Sequence, residues 1–136
     1  SSAASDVYKR QEVGHGSSAG VPKEVTEFIS VDMAAPGPGQ TSDEQKTTIC
    51  VKDSTGPYDI DMKRKLIKLA KENDIPYELD IYPFYGSDAS AAQRAGVDAR
   101  AALIGPGVDA SHSFERTHID GIKATTDLAL AYVLAK

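Results

Sequence analysis

Apolar positions along this chain come in short runs separated by polar and Gly/Pro-rich breaks, spaced alternately as strands and as helices. "EFISVDMA" (27–34) sets Phe28, Ile29, Val31 and Met33 ahead of the cluster "APGPGQ" (35–40), which predicts a strand and its stop. The β-branched run "TTICVKD" (47–53) predicts a second, buried strand, and "STGPYD" reads as a turn. In 59–73, Met62, Leu66, Leu69 and Ala70 share one helical face and Lys/Arg the other. Asp59 or Asp61 can cap that helix, and Pro76 disfavours its continuation. In "YELDIYP" (77–83), Tyr77, Leu79 and Ile81 alternate as in a half-buried strand. The turn "FYGSD" then enters a short helix near 88–95, closed by Gly96. "ARAALIG" (99–105) suits a strand covered on both faces. After the loop "PGVDASHSFERTH", Asp120 caps a final helix to Lys136, with Ile122, Leu128, Val133 and Ala135 expected to face inward.

This alternation predicts an α/β domain, a sheet with helices on its faces. Ligands of such sheets gather beyond the carboxyl ends of strands. Asp32, Asp53, Ser87–Asp88 and His112 all stand at such ends, the strongest purely physical hint of a site. At 136 residues the chain has the size of one domain. Its net charge of −5 argues against nucleic acid as the main partner, because phosphate binding calls for a basic face. No apolar run approaches the ~20 residues of a membrane span, and no secretory signal opens the sequence. Cys50 is alone, so no intrachain disulfide forms, which fits a reducing compartment. Cys50 itself reads as a small buried hydrophobe.

Several residues carry candidate chemistry. Asp32 is a lone acid in an apolar run; burying it is costly unless it is paired or bound to a cation, so it is a metal or catalytic residue or a strand-end cap or ion pair. His112 is a ligand or a solvent-exposed loop histidine, while His118, six residues on, suits surface or capping duty. Glu12 and His15 have E-x-x-H spacing, but Gly14 and Gly16 argue for a loop there and His15 is not expected to be a ligand. The Gly/Pro cluster at 36–39 is a weak phosphate-loop signal, since no Lys-Ser/Thr follows. "GSDAS" (86–90) lacks the Gly-x-Ser-x-Gly of a nucleophile elbow and reads first as a Ser/Asp helix cap.

Four strings go beyond generic patterning: "EVGHGSSAG…EVTEFISVDMAAPGPGQ", "ICVKDSTGPYDIDMKRKLIKLAKENDIPY", "DIYPFYGSDASAAQRAG" and "ALIGPGVDASHSFERTHID". In one register over 12–136 they closely resemble the C-terminal part of glutamyl-aminopeptidase-like enzymes, in the tetrahedral (TET) aminopeptidase family of two-metal peptidases. The resemblance implies a three-layer α/β/α zinc-peptidase-like sheet holding two divalent ions, zinc or cobalt, in a cytoplasmic homo-oligomer of dodecamer type that acts on peptides. It implies that Glu12, Asp32 and His112 are metal ligands, that Gln11 stands at the general-base position of an E-E-V-G motif, and that Ser87 and Asp88 lie near the substrate. Carboxylate and imidazole donors suit such ions, which activate a water against the peptide carbonyl. A preference for acidic N-terminal residues would call for a cation in the pocket, for which Lys52 and Arg116 are candidates.

The departures from the family matter as much. Its upstream histidine and bridging aspartate, its N-terminal strands and its inserted dimerisation domain have no counterpart here, so the sheet is expected to be incomplete, with an exposed edge. Residues 1–11 ("SSAASDVYKRQ") resemble a translated adapter tail, which implies a non-native, disordered leader on a C-terminal catalytic-domain fragment. The expected function is therefore that of a metal-dependent aminopeptidase, with this truncated chain inactive. The alternative is a non-catalytic α/β binding or assembly module with a degenerate metal site. A carbohydrate hydrolase, which would want two acids facing one glycosidic bond, has nothing to favour it.

Overall fold

A computed structural model describes residues 16–135. A one-turn helix, α1 (Ser17–Gly20), is followed by β1 (Glu27–Val31), β2 (Thr47–Asp53), β3 (Gly56–Pro57), α2 (Ile60–Glu72), β4 (Tyr77–Tyr82), α3 (Asp88–Arg94), β5 (Arg100–Pro106) and α4 (Ile119–Leu134). The strands form one mixed sheet in which β1 lies parallel to β5, β5 antiparallel to β2, and β2 parallel to β4. The two-residue β3 folds back on the end of β2 through Lys52 and Asp53.

Side chains alternate across the sheet, and both faces are covered. On one face Ile49, Ala102 and Ile104 pack against Met62, Leu66 and Ala70 of α2 and Ala124, Leu128 and Tyr132 of α4. On the other, Cys50, Tyr82, Ala101 and Leu103 meet Ala89 of α3. The result is the expected α/β/α layering. Among the described residues no strand pairs with the outer edge of β1. Leu128 is fully buried at the centre of the larger cluster. Leu128→Ala should cost about 3 kcal/mol through lost contacts and a cavity, read as a lowered urea midpoint.

The helix ends follow from local chemistry. Asp59 caps α2 by accepting from the amides of Asp61 and Met62. The helix closes with Asp74 left-handed (φ 52) and Ile75 donating back to the Ala70 carbonyl, just ahead of Pro76.

Three expectations are corrected. Where a loop was expected around Gly16, Ser17–Gly20 make a helical turn, tied to α3 by a bond from the Ser17 hydroxyl to Asp88. In β4 it is Asp80 and Tyr82 that are buried, while Leu79 and Ile81 are exposed. The Asp80 carboxylate is satisfied there by the amides of Thr41, Ser42 and Ile81 and the Ser42 hydroxyl, so a charged residue occupies the inner face at low cost. In α4, His118 rather than Asp120 is the N-cap, and Ile122 and Val133 face outward. The buried stripe is Gly121, Ala124, Thr125, Leu128 and Tyr132. Small residues set this phase: a Cβ at Gly121 would sit 2.2 Å from the Glu44 carbonyl oxygen, so only glycine lets the 43–46 turn approach.

Candidate functional site

β1 and β5 run one way and β2 and β4 the other, so their carboxyl ends do not share one edge of the sheet. They are joined instead by a cavity of about 270 Å³ against the face that carries Leu103 and Tyr82. Its walls include Asp32, Asp53, Ser87, Asp88 and His112, the residues singled out in the sequence at strand ends. Met33, Ala35, Tyr85, Gly86, Ala91, Ser111 and Glu115 complete it. Glu12, Gln11 and His15 lie outside the described residues.

Asp32 leaves β1 with its amide donating to the Ile104 carbonyl at 3.0 Å, and its own carboxylate accepts from the Met33 amide at 2.7 Å. That bond orients the acid at the strand end. His112 reaches the cavity from the loop after β5 with a left-handed backbone (φ 63), two residues after Ala110 (φ 55). Two non-glycine residues so held cost about 1–3 kcal/mol each, and such strain gathers where side chains must be aimed. The loop is pinned to tolerate it. Asp109 and Arg116 exchange both backbone hydrogen bonds, the Arg116 guanidinium pairs with Glu44 and Asp109 at 3.1 Å each, and Glu115 accepts from the His112 amide at 3.0 Å. Glu115 and Ser111 were not singled out as site residues from the sequence. Glu115 stands in the "SHSFE" string beside His112, but spacing alone does not show that its carboxylate holds the backbone.

The opposite wall is braced by a buried hydrogen-bond relay. Asp53, 1% exposed at the end of β2, accepts from the Thr55 amide and hydroxyl, the Tyr58 hydroxyl and the Ser90 hydroxyl. Ser87 caps α3 by accepting from the Ser90 amide, and its hydroxyl meets that of Tyr58 at 2.6 Å. Burial pushes the Asp53 carboxyl up, but the Ser90, Thr55 and Tyr58 donors outweigh it and hold the group below the usual carboxylate range. The same burial pushes the neighbouring Tyr82 phenol up to about 12, and the Cys50 thiol likewise to about 12, which keeps Cys50 an inert core residue.

Neither Lys52 nor Arg116 lines this cavity. Asp32 and His112 offer one oxygen and one nitrogen donor, chemistry that fits a zinc-like ion. Among the described residues no group of three or more His, Cys, Asp or Glu is placed to hold a metal.

The α/β/α sheet thus carries a cavity walled by carboxylates, a histidine and hydroxyls. Comparison with known proteins gives the family. The profile of the M42 glutamyl aminopeptidase family matches residues 7–128, and the chain belongs to that family. It is 48% identical over 127 residues to YhfE of Bacillus subtilis (strain 168), a protein that bears an aminopeptidase name. That match takes in 93% of this chain but 37% of YhfE, so the chain spans little more than a third of that relative. The fold is shared with TET1 peptidase of Pyrococcus horikoshii, which assembles into a tetrahedron or a large octahedral shell (TM-score 0.75, 20% identity, 89% of this chain and 37% of that one). It is shared too with PhTET1-12s, a dodecamer (TM-score 0.72, 21% identity, 82% and 34%).

Proposed function

We propose that this chain is the C-terminal part of the catalytic domain of a metal-dependent aminopeptidase that removes N-terminal residues from peptides. The observation that carries the reading is that Asp32, from the end of β1, and His112, from the loop after β5, wall the same cavity in an M42-family chain. In this reading Asp32, His112 and Glu12 are ligands in a site for two divalent ions, zinc or cobalt. Bound ions of this kind supply Lewis-acid polarisation of a carbonyl and an activated water. Ser87, Asp88 and the apolar wall of Leu103 and Tyr82 bind and orient the substrate, and α3 and the 107–117 loop exclude bulk water from it.

The edge of β1, unpaired among the described residues, the 51% exposed Val31 and the outward Ile119, Leu130 and Val133 of α4 support packing against further parts of a longer catalytic domain. We assign those parts the remaining ligands, place the general base of the complete enzyme at the position of Gln11, and assign the complete protein a TET-type oligomer. The 136-residue chain alone is then expected to show no turnover on acidic or neutral aminoacyl substrates with zinc or cobalt added. A chimera in which residues 12–136 replace the matching region of YhfE should show metal-dependent aminopeptidase activity. That activity should fall at least about a hundredfold on Asp32→Asn or His112→Gln. Turnover by the chain alone, or a folded chimera indifferent to both substitutions, would contradict the proposal.

A further inference from the structure

The brace behind the cavity fixes where its protons go. Asp53 accepts from the Thr55 amide and hydroxyl and from the hydroxyls of Tyr58 and Ser90. An ionised carboxylate has no proton to give, so Tyr58 and Ser90 each spend theirs on it. The Tyr58 and Ser87 oxygens lie 2.6 Å apart, and a bond of that length needs a proton between them. Tyr58 has none left, so the Ser87 hydroxyl donates to Tyr58. The Ser87 oxygen also accepts from the Ser90 amide at 3.4 Å. Its contact with the Ser90 oxygen, also 3.4 Å, has no proton to share, since both are committed elsewhere. Ser87 is 8% exposed and lines the cavity. With its proton turned into the wall, its oxygen has a lone pair to offer a ligand: it can accept there and cannot donate.

We propose that Ser87 is an acceptor-only contact for the free amino group of the substrate, with Tyr58 and Asp53 as positioning residues that set its polarity. The inference rests on the aminopeptidase reading and deepens it. A protonated amino group only donates, which matches Ser87, whereas a carbonyl oxygen only accepts and would meet lone pair with lone pair. The wiring therefore orients the peptide with its amino end at Ser87. It leaves the carbonyl free for the ions assigned to Asp32 and His112. Those ions do not compete for Ser87, because zinc takes carboxylate, imidazole and thiolate donors in preference to a neutral hydroxyl. The contact needs no net charge on the wall, so it is the same with or without bound metal.

The test uses the isotope-labelled 136-residue chain, metal-free and zinc-loaded, followed by NMR at the backbone amides of 86–91. The probes are leucine amide, 4-methylpentanamide, which lacks the amino group, and 4-methyl-2-oxopentanamide, which puts an acceptor in its place. The native metal-free chain should bind leucine amide at least about tenfold more tightly than either of the others. Ser87→Ala should weaken leucine amide about tenfold and leave 4-methylpentanamide within about twofold. Ser87 also caps α3, so Ser87→Thr, which keeps hydroxyl and cap, should restore the preference. Tyr58→Phe keeps the Ser87 hydroxyl but removes the acceptor for its proton, and should raise the affinity for the oxo amide relative to leucine amide at least about threefold. A residue that only supports the fold would shift all three probes together. Equal losses of leucine amide and 4-methylpentanamide on Ser87→Ala, an unchanged ratio in Tyr58→Phe, or binding of none of the probes would overturn the inference. Weaker zinc binding by Ser87→Ala would overturn it too, by giving the lone pair to the metal. The two readings fail separately. Zinc binding that depends on Asp32 and His112 without selection for the amino group sinks only this inference, whereas zinc binding independent of both residues sinks the aminopeptidase reading.

Discussion

Gly105→Ala should destabilise the chain by about 3 kcal/mol or more and displace Asp32 from the cavity wall. β1 and β5 are in register with Val31 opposite Ile104, and the chain just past β1 stays on β5 through bonds from Asp32 to Ile104 and from Ala34 to Pro106. A Cβ on Gly105 would fall 1.4 Å from the Asp32 carbonyl oxygen and 2.6 Å from its carbonyl carbon. Those atoms are backbone, so no rotamer change relieves the clash and the end of β1 must move. Gly37 supplies the control, since nothing lies within 4 Å of a Cβ built there. Gly37→Ala should therefore change stability by no more than about 0.5 kcal/mol. Urea midpoints for the two variants check this, and equal midpoints would contradict the packing described at the site.

The second large effect is expected at Asp53. Asp53→Asn keeps the shape but turns an amide NH2 toward groups that now donate to a carboxylate, and the Thr55 backbone amide cannot reverse its role. A loss of about 2 kcal/mol or more at pH 7 follows from donors left unmatched in a buried place. The pH dependence has a definite sign. The folded carboxyl lies below its unfolded value of about 3.9, so folding favours the ionised form. That contribution is complete above the unfolded value and is lost as pH falls through the lower, folded one. The stability gap between the native chain and Asp53→Asn, measured by urea at pH 6 and again near pH 3, should shrink in acid. A gap that stays constant or widens would mean that the Asp53 charge does not stabilise the fold.

Most of this fold was legible in the sequence because its elements are marked by local chemistry. Asp59 and Ser87 announced their helices, Pro76 and Gly96 their ends, and the run before Gly105 a strand buried on both faces. What was not legible depended on tertiary partners. Hydropathy pointed Ile122 and Val133 of α4 inward, but close approach to the 43–46 turn selects Gly121, Ala124 and Thr125 instead. β4 buries Asp80 because Thr41 and Ser42, some forty residues away in sequence, bring donors to it. Asp32, Asp53, Ser87, Asp88 and His112 were singled out from their positions at strand ends, and all of them line one cavity. The way they meet was not foreseen: the sheet is mixed, so the residues converge over a face rather than along one edge. The brace linking Asp53, Tyr58, Ser87 and Ser90 joins three separate segments, and no periodicity or spacing reports it.

The central proposal is that Asp32 and His112 are ligands to divalent metal. A zinc titration of the 136-residue chain, followed by NMR at the His112 imidazole and the backbone around Asp32, tests it most directly. Both sets of signals should shift as zinc is added, and Asp32→Asn and His112→Gln should each weaken binding at least about tenfold. Zinc that leaves both sets of signals unmoved, or that binds the two variants as tightly as the native chain, would contradict it.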